Sequence, residues 1–98
     1  MNVQIQSVKF DADRKLIDFV ESKISKLDRF VERSTGADVI LKVDKDNERG
    51  NKVAIIRIEV PGNDLIAEFR GKTFEESVDG AIDALKKQIE KHNEKHVK

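Results

Sequence analysis

The apolar residues of this 98-residue chain change period twice, and that change limits the folds open to it. Leu16, Ile17, Val20, Ile24, Leu27 and Val31 recur at helical spacing over residues 14–33. The pattern then alternates every second residue through Val39-Leu41-Val43, Ile56-Ile58-Val60 and Leu65-Ala67-Phe69. Helical spacing returns with Phe74, Val78, Ala81, Ile82, Leu85 and Ile89. Each helix has one apolar face and each strand one apolar side, so a sheet covered by helices on one face satisfies all of them.

Local signals mark the boundaries. Val3, Ile5, Val8 and Phe10 predict a first strand whose inward parity switches near Ser7, as a bulge would allow. Asp11 or Asp13 is placed to cap the first helix and Thr73 the second. Residues 44–51 predict a polar hairpin loop, and Pro61-Gly62-Asn63-Asp64 a tight turn. The predicted order is β-α-β-β-β-α in the α+β class: an antiparallel four-stranded sheet with both helices on one face. The other face stays wet, carrying Lys42, Arg57, Glu59, Glu68 and Arg70. At this length, one domain spanning residues 1–98 is expected.

Charge is abundant but balanced. Charged residues make up 39% of the chain and cancel to a formal zero, so their distribution must carry any argument about partners. Residues 73–85 carry only the acids Glu75, Glu76, Asp79 and Asp83, whereas the following run includes Lys86, Lys87, Lys91, Lys95 and Lys98. Lys87, Lys91 and Lys95 stack at four-residue spacing, which costs about 0.2–0.5 kcal/mol per like-charged pair in an isolated helix. The helix dipole accounts for the cations of the last turn only, because its effect fades within about one turn. Lys23, Lys26, Arg29 and Arg33 form a second basic row on the first helix, apart from Asp18, Glu21, Asp28 and Glu32. Two such rows point to a polyanion.

Other chemistries find little support. The chain has no Cys, which suits a reducing cytoplasm, and no apolar stretch of membrane or signal-peptide length. A soluble intracellular protein is expected. No Ser has the flanking glycines of a nucleophile elbow, and the glycines are too scattered for a phosphate loop, so an enzyme is not expected. His92 and His96 share a helical face but lack a third ligand, so neither metal nor cofactor is expected. Tyr and Trp are absent and the five Phe fall largely at core positions, which predicts phosphate contact without an aromatic stacking platform.

Taken together, Leu16-Ile17-Asp18-Phe19-Val20 through Lys23 and Lys26-Leu27, Leu41-Lys42-Val43-Asp44-Lys45, and Val78-Asp79-Gly80-Ala81-Ile82-Asp83 through Leu85, Gln88, Lys91-His92 and Lys95 resemble a known family. These are the short ribosome hibernation-promoting factors, also called ribosome-associated inhibitors or ribosomal subunit interface proteins. The resemblance spans essentially the whole chain. It implies a domain similar to double-stranded RNA-binding domains with an added N-terminal strand. It also implies binding to the small ribosomal subunit in the channel for messenger and transfer RNA, with translation blocked in stationary phase or starvation. By position, the expected ribosomal RNA contacts are Lys23, Lys26, Lys42, Lys45, Lys87, Lys91, His92 and Lys95. Arg29 and Arg33 of the first-helix row, and Lys86 of the C-terminal run, join them as candidates.

The chain departs from the family pattern at Thr73-Phe74-Glu75, where relatives often read Asp-x-Tyr, and at Ala84 and Asn93, where they often have Lys. Its end at Lys98 implies the short form, without the C-terminal domain of the long forms; a separate ribosome-dimerising factor is a further candidate partner. Two alternatives compete: a generic double-stranded RNA-binding module, and a protein-interaction domain with an acidic partner. No membrane or small-molecule partner is expected.

Overall fold

The computed structural model describes residues 2–31, 34–45 and 50–96, with the backbone alone for residues 93–96. The elements are β1 (Asn2–Val8), α1 (Arg14–Leu27), a 3-10 turn (Asp28–Phe30), β2 (Gly36–Val43), β3 (Lys52–Glu59), β4 (Leu65–Gly71) and α2 (Phe74–His96). This is the predicted α+β order, in a four-stranded sheet of order β1-β2-β3-β4.

The sheet is mixed, which corrects the antiparallel expectation. β1 pairs in parallel with β2, while β2-β3 and β3-β4 are antiparallel. A period of two is common to both pairings, so the connection decides. The 14-residue α1 returns the chain to the end of the sheet where β1 began, and β2 therefore sets off in the same direction.

Two local expectations are also corrected. β1 keeps one parity throughout, with Val3, Ile5 and Ser7 opposite the core residues Ala37, Val39 and Leu41 and Val8 opposite Lys42 on the other face. Lys9, at φ 68°, then turns the chain so that Phe10 reaches the helical layer and stacks on Phe74, with ring centroids 4.4 Å apart. The first helix stops at Leu27 instead of running to residue 33, and Val31 is already extended. Its N-terminus is capped by Asp13, whose carboxylate accepts from the Leu16 N–H at 2.9 Å.

The helix layer covers one face of the sheet. Val20, Ile24 and Leu27 of α1 and Val78, Leu85 and Ile89 of α2 pack on Val39, Leu41, Ile56 and Ile58, all essentially excluded from solvent. Thr73 caps α2 by accepting from the Glu76 N–H at 3.1 Å. Ser77 is buried in this layer, and its hydroxyl donates to the Lys52 carbonyl at 2.6 Å, fastening α2 to β3. Gly80 lets α2 approach β4: a Cβ there would lie 2.4 Å from the Phe69 ring. Gly62, at φ 86°, occupies the third position of the turn closed by the Asn63 N–H on the Val60 carbonyl.

The opposite face is open and carries the mixed charges predicted for it. Arg57 contacts Asp38, Glu59 at 3.4 Å and Asp64 at 3.5 Å, and Arg70 reaches Asp44 at 2.5 Å. The Arg70 guanidinium holds the Asp44 carboxyl below the usual carboxylate range. Ile40, Ile55 and Ile66 add an apolar stripe to this face, and Val53 is fully covered where it pairs with Lys42 and Arg70.

Candidate nucleic-acid interface

The two helices run side by side in the same direction, since Lys23 meets Asp79 at one end and Phe30 lies beside Lys86, Ile89 and Glu90 at the other. Between them lies a groove of about 520 Å³, lined by Lys23, Lys26 and Arg29 from the first helix and its 3-10 turn and by Asp79, Asp83 and Lys86 from α2. Four cations face two carboxylates, an excess of two positive charges in a chain whose formal net charge is zero. Segregation along helix faces has built a local field that overall composition hides.

The groove is not uniform. At its first end, the Lys23 ammonium lies 3.0 Å from the Asp79 carboxylate and 5.4 Å from the centre of the Phe19 ring. Lys23 is only one-third exposed and acts as a tie between the helices. Lys26, Arg29 and Lys86 are exposed further along, and they give that end its positive character.

The remaining expected contacts lie elsewhere. Lys87 and Lys91 of the α2 row do not line the groove with α1: the acidic flank of α2 does, joined by Lys86. Lys91 and His92 border a separate hollow of about 380 Å³ against Pro61, Gly62 and Asn63, and Lys87, one turn before Lys91, is exposed on that flank. Lys42 sits on the open face of the sheet, opposite Val8 and Val53, and exposed Lys45 follows β2. Arg33 and the side chain of Lys95 fall outside the described residues. The structure thus gathers Lys23, Lys26, Arg29 and Lys86, and separates them from Lys87, Lys91 and His92 on one flank and from Lys42 and Lys45 across the sheet. Ala84 is half-buried against the core.

One residue escaped the sequence reading. Phe30 is 57% exposed and lines the basic end of the groove; with Phe69 at 42%, it corrects the expectation that the phenylalanines leave no aromatic surface. Phe30 lies in the 3-10 turn that follows α1, at the margin of the apolar face of the helical wheel, and its ring is exposed there.

Among the described residues, no group of three His, Asp or Glu side chains is arranged to hold a metal ion. Among the same residues, no helix is long and apolar enough to cross a membrane.

A β-α-β-β-β-α sheet with a cationic groove between its two helices defines a class of small α+β domain. The chain belongs to the Sigma 54 modulation protein / S30EA ribosomal protein family, which it matches over residues 3–97. It is 30% identical over 95 residues to the ribosome hibernation promoting factor of Klebsiella oxytoca, covering 97% of this chain and 96% of that one. The Azotobacter vinelandii factor of the same name is 31% identical over 97 residues, covering 99% and 87%. The ribosome hibernation promotion factor of Deinococcus radiodurans is 31% identical over 97% of this chain, which spans 50% of that protein's length.

Solved structures share the fold. The Protein Y N-terminal domain of Thermus thermophilus superposes with a TM-score of 0.79 at 24% identity, over 94% of this chain and 99% of that one. A ribosomal subunit interface protein from Coxiella burnetii gives 0.80 at 19% identity, over 95% and 98%. The family resemblance read from the sequence is borne out.

Proposed function

We propose that this protein is a ribosome hibernation factor: it binds the small ribosomal subunit in the channel used by messenger and transfer RNA and inhibits translation in starved or stationary-phase cells. The observation that carries the reading is the convergence of Lys26, Arg29 and Lys86 on one exposed groove, in a chain whose relatives are named for ribosome hibernation. Ribosomal RNA supplies a dense, folded array of phosphates, which lysines and arginines at fixed spacing recognise by shape. Inhibition then requires only occupancy. Lys87, Lys91 and His92 form a second contact flank toward the β3-β4 turn, and Lys42 and Lys45 a third across the sheet. A cytoplasmic location follows from this partner, and a separate ribosome-dimerising factor is a further partner compatible with it.

Cosedimentation with purified small subunits at graded salt tests the reading. Wild-type protein is expected to pellet with subunits at low salt, and the Lys26→Glu/Lys86→Glu variant to stay in the supernatant with an unchanged circular dichroism spectrum. Unaltered pelleting of that variant would remove the groove from the interface. Equal affinity for plain duplex RNA and for subunits would favour a generic double-stranded RNA-binding module. Capture that survives ribonuclease would favour a protein partner.

A further inference from the structure

The two edges of the sheet are finished differently. β4 forms one, and it is guarded: the Gln88 side-chain amide donates to the Ile66 carbonyl at 2.7 Å, and the strand carries Glu68 and Arg70. β1 forms the other. From Asn2 to Val8 it has no charged residue, proline, glycine or bulge, in a chain of which 39% is charged. An edge strand of seven residues without these deterrents is a template for another strand.

The ladder fixes which groups β1 presents. The Asp44 N–H donates to the Asn51 carbonyl at 2.7 Å, extending the β2-β3 register. Asp38, Ile40 and Lys42 therefore turn their backbone groups toward β3, and Ala37, Val39 and Leu41 turn theirs toward β1. In the parallel pair these bond to Asn2, Gln4, Gln6 and Val8, which leaves the N–H and C=O groups of Val3, Ile5 and Ser7 pointing outward. Among the described residues, none supplies a hydrogen bond to those outward groups.

We infer that β1 is a self-association surface, on which a second copy of this chain pairs antiparallel through its own β1, with Ile5 on the two-fold axis. In that register Val3 faces the partner's Ser7 and Ile5 the partner's Ile5, and each facing pair exchanges two backbone hydrogen bonds. On the open face Gln4 meets the partner's Gln6; a carboxamide both donates and accepts, so like pairs with like. Ile5 is the middle residue of the strand, so this register overlaps the two copies fully. A second copy is the occupant because the edge calls for an uncharged, alternating strand. β2, β3 and β4 all carry charges, and among the described elements β1 alone fits. The assembly also closes: the two-fold uses up both β1 edges, and the guarded β4 edges end the doubled sheet. No residue lining the inter-helix groove lies on β1, so the association is independent of the ribosome binding proposed above.

Sedimentation equilibrium of the full chain tests this. The mass is expected to rise from 11.2 kDa toward twice that value as concentration approaches about 1 mM, since a single strand pair is an interface of the small, weak class. Over the same range the Val3, Ile5 and Ser7 amide resonances should shift and exchange more slowly, and those of Gln4 and Gln6, already bonded to β2, should change far less. Gln4→Lys/Gln6→Lys sets like charges across the axis and should weaken association about 2- to 30-fold at low salt. Gln4→Lys/Gln6→Glu sets each new lysine against a new glutamate of the partner and should restore it. Both positions are exposed, so the circular dichroism spectrum should be unchanged. A chain that stays at 11.2 kDa throughout, or a dimer indifferent to the two charge patterns, would overturn the inference and leave the ribosomal role untouched.

Discussion

Gly80 offers the sharpest test of how the helix layer meets the sheet. It lies inside α2, where replacing Gly by Ala ordinarily stabilises a helix by about 1 kcal/mol. Here the new methyl would fall 2.4 Å from both Cγ and Cδ1 of Phe69 and 2.6 Å from Cδ2. Because Cγ is the root of the ring, rotation about χ2 brings no relief; the side chain must change χ1 or the helix must lift from β4. Overpacking of this kind costs about 1–3 kcal/mol. Gly80→Ala should therefore range from neutral to about 2 kcal/mol destabilising in the wild-type background. In a Phe69→Ala background the obstacle is gone, and the same change should stabilise by about 1 kcal/mol. The coupling between the sites is then about 1–3 kcal/mol, readable from urea unfolding of the four proteins in a double-mutant cycle. A Gly80→Ala protein stabilised to the same degree in both backgrounds would refute the argument, because it would mean that Phe69 swings away at no cost.

Two further outcomes follow from polar contacts. Ser77→Ala removes the donor to the Lys52 carbonyl from a fully buried position and should lower stability by about 1–3 kcal/mol in urea unfolding; a change within error would show that the fastening of α2 to β3 is dispensable. The Asp44 carboxyl is held below its unfolded-state value by Arg70, so its contribution is fully present above about pH 4 and fades as pH falls through the depressed folded value. Urea midpoints of wild type and Asp44→Asn should therefore converge as pH drops from 6 toward 2, and a gap independent of pH would contradict the pairing.

Much of the fold was legible because hydrophobic period is a local property. Leu16, Val20, Ile24 and Leu27 define the buried face of α1 wherever that helix packs, and Ile56 and Ile58 face inward in any sheet that buries their side of β3. The parallel pairing of β1 was not legible, because alternation carries no strand direction. The end of α1 was obscured because Val31 falls on the helical apolar line and is buried, yet reaches the core from an extended backbone. The candidate site was partly legible for the same reason: the helical wheel grouped Lys23 and Lys26 on α1 and Asp79 and Asp83 on α2 but could not say which sector of α2 faces α1. Packing turned the acidic one toward α1, so that Asp79 meets Lys23 and, among the described α2 lysines, only Lys86 borders the groove.

By itself, the order of residues determined the element order, a cap at Thr73 and another at Asp11 or Asp13, the buried side of both helices and of β2 to β4, and a family likeness spanning nearly the whole chain. Tertiary structure alone decided strand direction, the neighbouring flanks of the two helices and the exposure of Phe30. The physical reason lies in the range of the interactions. Periodicity and capping act over one or two turns of chain, whereas the groove depends on residues more than fifty positions apart that meet only when both helices settle on the same sheet face.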